Sequence, residues 1–183
     1  MAGRPEGGAA GRARLRSGKG NAVVSSAPFP HASVYEAVAA AAARWPERPF
    51  LNVLPETASV YGIEAKEWTY AEALAEVERL RAAYEAAGCR AGQRVMLLME
   101  NRPAFFLHWF ALNALGLSVV PVNPDLQAFE LEYMAGHSHP VLAVAIPARV
   151  ADLEAASRAS GIGFPVIAPG DAVPAIAATL APA

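Results

Sequence analysis

Short apolar runs alternate with longer amphipathic segments along most of the chain. Four runs, each bounded by glycine, proline or asparagine, occupy residues 94–99, 117–122, 141–146 and 164–168. All four predict strands; the run at residues 94–99 is too short for most helices and indicates a strand buried on both faces of a sheet, and the run at residues 117–122 also predicts a buried strand. The segments between them predict helices at residues 103–115, 126–136 and 148–160. The alternation indicates βαβ units, and therefore an α/β fold with a parallel, doubly wound sheet and flanking helices.

Two capping boxes predict where helices begin in the first half of the chain. S-V-Y-E at residues 33–36 opens an alanine-rich helix, which a Trp-Pro pair ends near residue 44. A short strand at residues 49–54 and a turn or hairpin at residues 56–67 follow. T-Y-A-E at residues 69–72 then opens a second helix, which ends at Gly88. Its predicted apolar positions are Leu74, Val77, Leu80 and Tyr84.

Residues 104–122 contain no charged side chain, so a membrane span has to be considered. Asn101 suits the N-cap of a helix, Pro103 its first turn, and Gly116 the position after its end. A helix with those limits is roughly 20 Å long, whereas a hydrocarbon core is about 30 Å thick. The pattern therefore predicts a buried helix followed by a buried strand, with no membrane span. Asp125 is the predicted cap of the next helix.

Composition and charge divide the chain into three parts. The basic residues of the first part are Arg4, Arg12, Arg14, Arg16 and Lys19, against Glu6 alone. Residues 1–27 therefore predict a disordered, basic tail rich in Gly, Ala and Arg, with an organelle transit peptide as the alternative. Residues 28–170 form the predicted folded part, and residues 171–183 a truncated continuation. The net charge of −2 does not favour nucleic acid as a partner, and the single cysteine, Cys89, fits a reducing, cytoplasmic compartment.

Candidate chemistry is sparse at the predicted strand ends, where such sheets bind ligands. The loops there offer Asn101 and Asn123, and the chain has no G-x-x-x-x-G-K-[ST] loop and no G-x-G-x-x-G between a strand and a helix. The H-S-H sequence at residues 137–139 lacks the further ligands of a metal site. His108 is interpreted as a core residue and Cys89 as a small buried hydrophobe. The residues therefore predict no catalytic, cofactor-binding or metal-ligating site.

Six fragments in order carry a resemblance to a known family. They are W-T-Y-A-E, G-C-R-A-G-Q-R-V, M-E-N-R-P, A-L-G-L-S-V-V-P-V-N-P, E-L-E-Y-M and H-S, and they lie between residues 68 and 138. The resemblance as a whole covers about residues 33–168. Together the six fragments resemble the beginning of AMP-forming acyl-CoA synthetases, in the superfamily of adenylate-forming enzymes. The resemblance implies that the chain is an incomplete N-terminal subdomain of the adenylate-forming fold.

The resemblance also implies a reaction. In this family a carboxylate attacks the α-phosphate of ATP to give an acyl-adenylate, and the thiol of CoA then displaces AMP; fatty acids are among the acids activated. The phosphate loop, Mg²⁺ and a catalytic lysine stabilise the charge of the first step. The loop and the lysine belong to later segments of the family, so no family site residue is carried onto this chain. The implied partners are the rest of the synthetase and a carboxylic acid.

Three interpretations remain open at this point. In the first, the chain is the N-terminal fragment of an ATP-dependent acyl-CoA ligase and is inactive alone. In the second, it is a non-catalytic α/β binding or regulatory module. In the third, it is an unrelated flavodoxin-like or dinucleotide-binding domain, which would need a phosphate-binding loop that the chain lacks. Whether the chain is itself an enzyme depends on which of these holds.

Overall fold

The computed structural model describes residues 30–177, and the compact unit begins at His31. The predicted tail and the last six residues lie outside the described part. The helices are α1 (Val34–Arg44), α2 (Pro55–Tyr61), α3 (Tyr70–Ala86), α4 (Pro103–Ala114), α5 (Ala128–Ser138) and α6 (Val150–Ala159). The strands are β1 (Pro49–Asn52), β2 (Glu67–Thr69), β3 (Arg94–Leu98), β4 (Ser118–Val122), β5 (Leu142–Ala145) and β6 (Val166–Ile167). A 3₁₀ turn at Pro147–Arg149 precedes α6.

The central sheet is parallel and has the order β4-β3-β5-β6. Side chains of β3 alternate between its two faces: Val95 and Leu97 enter one apolar core, whereas Met96 and Leu98 enter the other. The first core includes side chains of α1, α3 and α4, and the second includes side chains of α5 and α6. Helices therefore cover both faces, which confirms the predicted α/β, doubly wound sheet.

Strands β1 and β2 pair antiparallel in a separate two-stranded sheet. The predicted turn or hairpin between them is wrong, because residues 55–61 form helix α2. Pro55 is the first residue of this helix, where its fixed φ suits a helix and its missing N–H costs nothing. Gly62 ends it with φ of 62°.

The predicted capping boxes differ in their outcome. At α3, Thr69 accepts a hydrogen bond from the Glu72 amide at 3.2 Å, and the Glu72 carboxylate accepts one from the Thr69 amide at 2.8 Å. At α1, Ser33 caps the amide of Glu36 at 3.1 Å, but the Glu36 carboxylate accepts from Ala32 instead. The T-Y-A-E box is confirmed in full, whereas only the serine half of the S-V-Y-E box is confirmed.

Two predicted caps are wrong. Pro103 is the first residue of α4, so the N-cap is Arg102 and Asn101 lies one residue too early. Before α5, Asn123 accepts a hydrogen bond from the amide of Asp125 in a turn, and this leaves Gln127 as the N-cap. Asn101 and Asp125 therefore belong to the loops before these helices.

The uncharged stretch is a helix and a strand, as predicted, and Gly116 lies just beyond the helix with φ of 71°. The prediction that the strand is buried is wrong, because only Val122 of β4 is buried. Within the described residues β4 pairs with β3 alone and lies at an edge of the sheet, which also accommodates Pro121. In residues 30–177 no helix is both long and apolar enough to cross a membrane. Of the apolar positions predicted in α3, Val77, Leu80 and Tyr84 are buried, whereas Leu74 is half-buried and Ala73 is the fourth buried residue.

Candidate functional site

The carboxyl ends of the central strands bring two predicted residues together. Asn101 follows β3 and Asn123 follows β4, and both line one open groove of about 440 Å³. Asp125 also lines this groove, which we call the asparagine groove. All three side chains belong to exposed residues. The groove therefore lies where a doubly wound sheet binds ligands, but it is open and would enclose little of a ligand's surface.

A charged pair lies in the same loop and has no counterpart in the sequence-based predictions. Oε2 of Glu100 lies 2.6 Å from Nη2 of Arg102, yet the contact lacks hydrogen-bond geometry, and Oε2 has no hydrogen-bond donor among the described residues. Nε of Arg102 also has no acceptor there. Nη2 donates a long hydrogen bond of 3.4 Å to the carbonyl of Tyr61. Arg102 is 8% exposed, so its charge is held almost entirely inside the protein.

A second cleft is lined in part by Arg102. It measures about 340 Å³ and is lined by Gly62, Ile63, Glu64, Lys66, Trp68, Arg102, Pro103, Ala104, Pro147 and Pro169. We call it the Trp68 cleft. Nζ of Lys66 lies 4.0 Å from the Trp68 ring centroid and 3.4 Å from the Glu72 carboxylate. The lining is mostly apolar, with cationic groups at Lys66 and Arg102.

His108 is a core residue, as predicted. It is 3% exposed, and its Nδ1 lies 2.6 Å from the Tyr84 hydroxyl. Burial lowers the pKa of His108 from 6.5 to about 4, against an opposing influence of the Glu76 carboxylate and with a smaller contribution from Arg79. The imidazole is therefore neutral at physiological pH and fits a structural role.

The remaining candidates do not assemble into a site. Cys89 is 3% exposed, and burial raises the pKa of its thiol to about 11, so it is a buried hydrophobe as predicted. His139 caps the end of α5 with φ of 47°, and His137 stacks on Tyr133. Within residues 30–177, no three His, Cys, Asp or Glu side chains come together as metal ligands.

Sequence reasoning missed Glu100 and Arg102, although a pattern was present. Two opposite charges lie in the short loop between a strand with four buried apolar residues and a proline that begins a helix. At the carboxyl end of a central strand, such residues lie beside the ligand-binding edge. The sequence M-E-N-R-P at residues 99–103 contains both charges, but only Asn101 among these residues was predicted as a candidate ligand-binding residue.

Comparison with known families gives a match over most of the chain. The model of the AMP-binding enzyme family matches residues 38–173. This range contains every strand of the central sheet and the residues that line the asparagine groove and the Trp68 cleft. The match starts inside α1 and extends past β6.

Known ligases align with the same part of the chain. Sulfoacetate–CoA ligase from Cupriavidus necator is 30% identical over 145 residues, which cover 78% of this chain and 27% of that ligase. Crotonobetaine/carnitine–CoA ligase from Proteus mirabilis is 30% identical over 40% of this chain and 14% of its own length. The chain therefore spans about a quarter or less of these relatives.

A solved structure shares the fold. The N-terminal domain of FACL13 from Mycobacterium tuberculosis superposes with a TM-score of 0.64 at 25% identity. The superposition covers 75% of this chain and 34% of that domain. The parallel sheet and its helices thus match about one third of that domain.

Proposed function

The chain belongs to the AMP-binding enzyme family, and we propose that it serves as the N-terminal part of an ATP-dependent acyl-CoA ligase. The reaction proposed for the whole ligase joins a carboxylic acid to CoA through an acyl-adenylate, with release of pyrophosphate and then AMP. The family match over residues 38–173 carries this proposal. The CoA ligases among the relatives support the choice of thiol acceptor.

Within such a ligase, the proposed role of this chain is structural. Its two apolar cores hold a parallel sheet whose carboxyl ends lie beside the asparagine groove and the Trp68 cleft. Adenylation needs cations around the phosphates, where charge develops in the transition state. The described residues contain one lysine, Lys66, which is paired with Glu72 and stacked on Trp68. We therefore propose that the chain alone does not form an acyl-adenylate.

For the acid substrate of the ligase we propose a chemical class and not a particular compound. The names of the relatives refer to sulfoacetate and to crotonobetaine or carnitine, which differ in charge and shape. We propose a carboxylic acid, with fatty acid metabolism as the setting. A cytoplasmic location is proposed because the only cysteine is a buried thiol with no disulfide.

Pyrophosphate exchange into ATP tests the proposal, because exchange requires reversible formation of the acyl-adenylate. The purified chain is assayed with acetate, medium-chain, long-chain and aryl acids, beside a boiled control. A second protein, extended through whatever reading frame follows residue 183, is assayed in parallel. We expect no exchange from the chain and acid-dependent exchange from the extended protein.

Each other outcome has a defined meaning. Exchange by the chain alone with any acid would refute its proposed inactivity. An extended protein that is folded but exchanges with none of the acids would favour the non-catalytic α/β binding or regulatory module. A frame that stops at residue 183 would also favour that module.

A further inference from the structure

The outward side of helix α5 carries two large aromatic side chains that the apolar cores do not use. Phe129 is 72% exposed and Tyr133 is 70% exposed. On the inward side of the same helix, Leu131 and Ala135 are fully buried in the second core. Phe129, Tyr133 and His137 are spaced four residues apart, so they form one row about 12 Å long on the helix surface. We call this row the α5 aromatic row.

Two side chains of the α5 aromatic row hold each other in place. The rings of Tyr133 and His137 stack with their centroids 5.8 Å apart and an angle of 7° between their planes. Aromatic side chains have few rotatable bonds, so rings that are already stacked lose little conformational entropy when a partner covers them. The row is therefore a preformed ridge on the surface.

A groove of about 630 Å³ adjoins this ridge. Besides the row and Glu132, its lining consists of three small residues, Gly136, Ala159 and Ser160. Helices α5 and α6 approach each other closely here, since a Cβ added at Gly136 would lie 3.9 Å from the Cβ of Ser160. Because these residues are small, the surface is low beside the ridge. We call this part the small-residue groove.

A surface that contains both a ridge and a groove can be complementary to itself. In an interface with two-fold symmetry, each copy contributes the same surface and makes every contact twice. If two α5 helices pack antiparallel about an axis between residues 134 and 135, Tyr133 of each copy lies opposite Gly136 of the other. The ridge of each copy then enters the small-residue groove of the other, and Phe129 flanks the contact at both ends.

The same alignment brings groups of opposite character together. Glu132 of each copy lies opposite His137 of the other, because both pairs of numbers have the same midpoint as Tyr133 and Gly136. An imidazole donates an N–H from at least one ring nitrogen, and a carboxylate accepts hydrogen bonds. Both side chains are exposed, so neither leaves a buried position to make this contact. Shape and polarity therefore agree on one register.

We propose that two copies of this chain form a homodimer through the α5 aromatic row and the small-residue groove. The second copy is the occupant that the surface fits, because its own ridge and its own charges complete the contact. The inference rests on residues of α5 and α6 and does not depend on the proposed ligase activity.

The size of the contact predicts a weak dimer. Aromatic side chains bury roughly 150–250 Å² each, so the four rings of Phe129 and Tyr133 in two copies bury at most roughly 1,000 Å². Stable interfaces bury roughly 1,200–2,000 Å² in total. We therefore expect a dissociation constant on the order of 100 µM, with monomer and dimer in rapid exchange.

Sedimentation velocity of the full chain tests the proposal at about 5–500 µM, a range that brackets the expected dissociation constant. We expect a concentration-dependent shift from monomer to dimer, with no larger species. Tyr133→Lys should weaken the dimer at least about tenfold, because it places a charge that loses water at the centre of the contact. Val60→Lys is the matched control and should leave association unchanged, since Val60 is 79% exposed in α2.

A second substitution separates a specific fit from general stickiness. Ala159→Leu adds apolar surface but fills the small-residue groove, so it should weaken the dimer at least about fivefold. If association came only from exposed apolar surface, the same change would strengthen it. Ala155→Leu, at an exposed alanine of α6 outside the groove, is its control and should have little effect.

Several results would overturn the proposal. They are a chain that stays monomeric over the whole range, association beyond the dimer, equal weakening by Tyr133→Lys and Val60→Lys, and unchanged or tighter association of Ala159→Leu. A monomeric chain would leave the α5 aromatic row to a different partner. Circular dichroism checks the fold of each variant, and if one variant is misfolded the other decides the outcome, because both replace exposed residues on different helices.

Discussion

The hydroxyl of Tyr84 in α3 lies 2.6 Å from Nδ1 of His108 in α4, and both residues are almost fully buried. Their rings meet edge to face with centroids 5.9 Å apart. Burial raises the pKa of Tyr84 and lowers that of His108, so both side chains are neutral at physiological pH. The pair is therefore a neutral polar link between two helices that cover the same face of the sheet.

Removing the hydroxyl should destabilise the fold. Tyr84→Phe keeps the ring but leaves Nδ1 of His108 buried without its partner. We expect the free energy of unfolding to fall by about 1–3 kcal/mol, the usual cost of an unsatisfied buried polar group. Urea unfolding followed by circular dichroism measures this. Tyr133→Phe is the matched control, because Tyr133 is 70% exposed, and equal midpoints for the two variants would contradict the structural role of the pair.

The low pKa of His108 makes stability depend on pH. In the unfolded chain a histidine has a pKa of about 6.5, whereas burial lowers that of folded His108 to about 4. Between these values the unfolded state binds more protons, so stability is complete above pH 6.5 and is lost as the pH falls toward 4. From pH 7 to pH 5.5 we expect a loss of about 1 kcal/mol in the free energy of unfolding.

A variant without the imidazole isolates this contribution. His108→Gln retains a polar side chain that does not titrate, so its stability should change less over the same pH interval. The other histidines are present in both proteins, so their effects cancel in the difference. Parallel curves of stability against pH for the two proteins would show that His108 does not titrate below its ordinary range.

Much of the fold follows from local patterns, and the exceptions depend on tertiary structure. Apolar runs such as residues 94–99 predicted strands correctly, because a strand covered on both faces shows a continuous apolar run and no alternation of polar and apolar residues. Helix α2 was missed since its seven residues carry little apolar periodicity and only Pro55 marks its start. The exposure of β4 was missed because β4 lies at an edge of the sheet, and the order of strands in a sheet cannot be inferred from the residues of a single strand.

The candidate site was less predictable than the fold. Local sequence shows Asn101 and Asn123 at strand ends, and the structure does bring them into one groove. It does not show that Arg102 is buried, because a guanidinium is usually exposed and its burial here depends on Tyr61 and Glu100. The Trp68 cleft is likewise built from segments far apart in the chain. Contacts of this kind are fixed by packing and not by periodicity.

Gly116 should be intolerant of a side chain. Its φ of 71° is a left-handed conformation, and an added Cβ would lie 3.1 Å from the Cβ of Ala91. We expect Gly116→Ala to lower the free energy of unfolding by more than about 1 kcal/mol. Gly136→Ala is the control, since Gly136 lies inside α5 and its nearest neighbouring atom would be 3.9 Å away. That variant should be neutral or stabilising, and an equal loss in both would refute the role of φ.

Cys89 provides a measure of how well the isolated chain holds its core. The thiol is 3% exposed, it belongs to the same apolar core as Tyr84, and burial raises its pKa to about 11. Only the thiolate reacts with a disulfide reagent, so at pH 8 the folded protein should react at least about a hundredfold more slowly than the chain in concentrated guanidinium chloride. Cys89→Ser combined with Glu154→Cys places a thiol at an exposed position of α6 and should react fast in both conditions. Fast reaction of native Cys89, at the rate of that exposed thiol, would mean that the core around α3 and β3 opens readily when the chain is alone. Slow reaction would mean that this face of the sheet is closed by the described residues themselves.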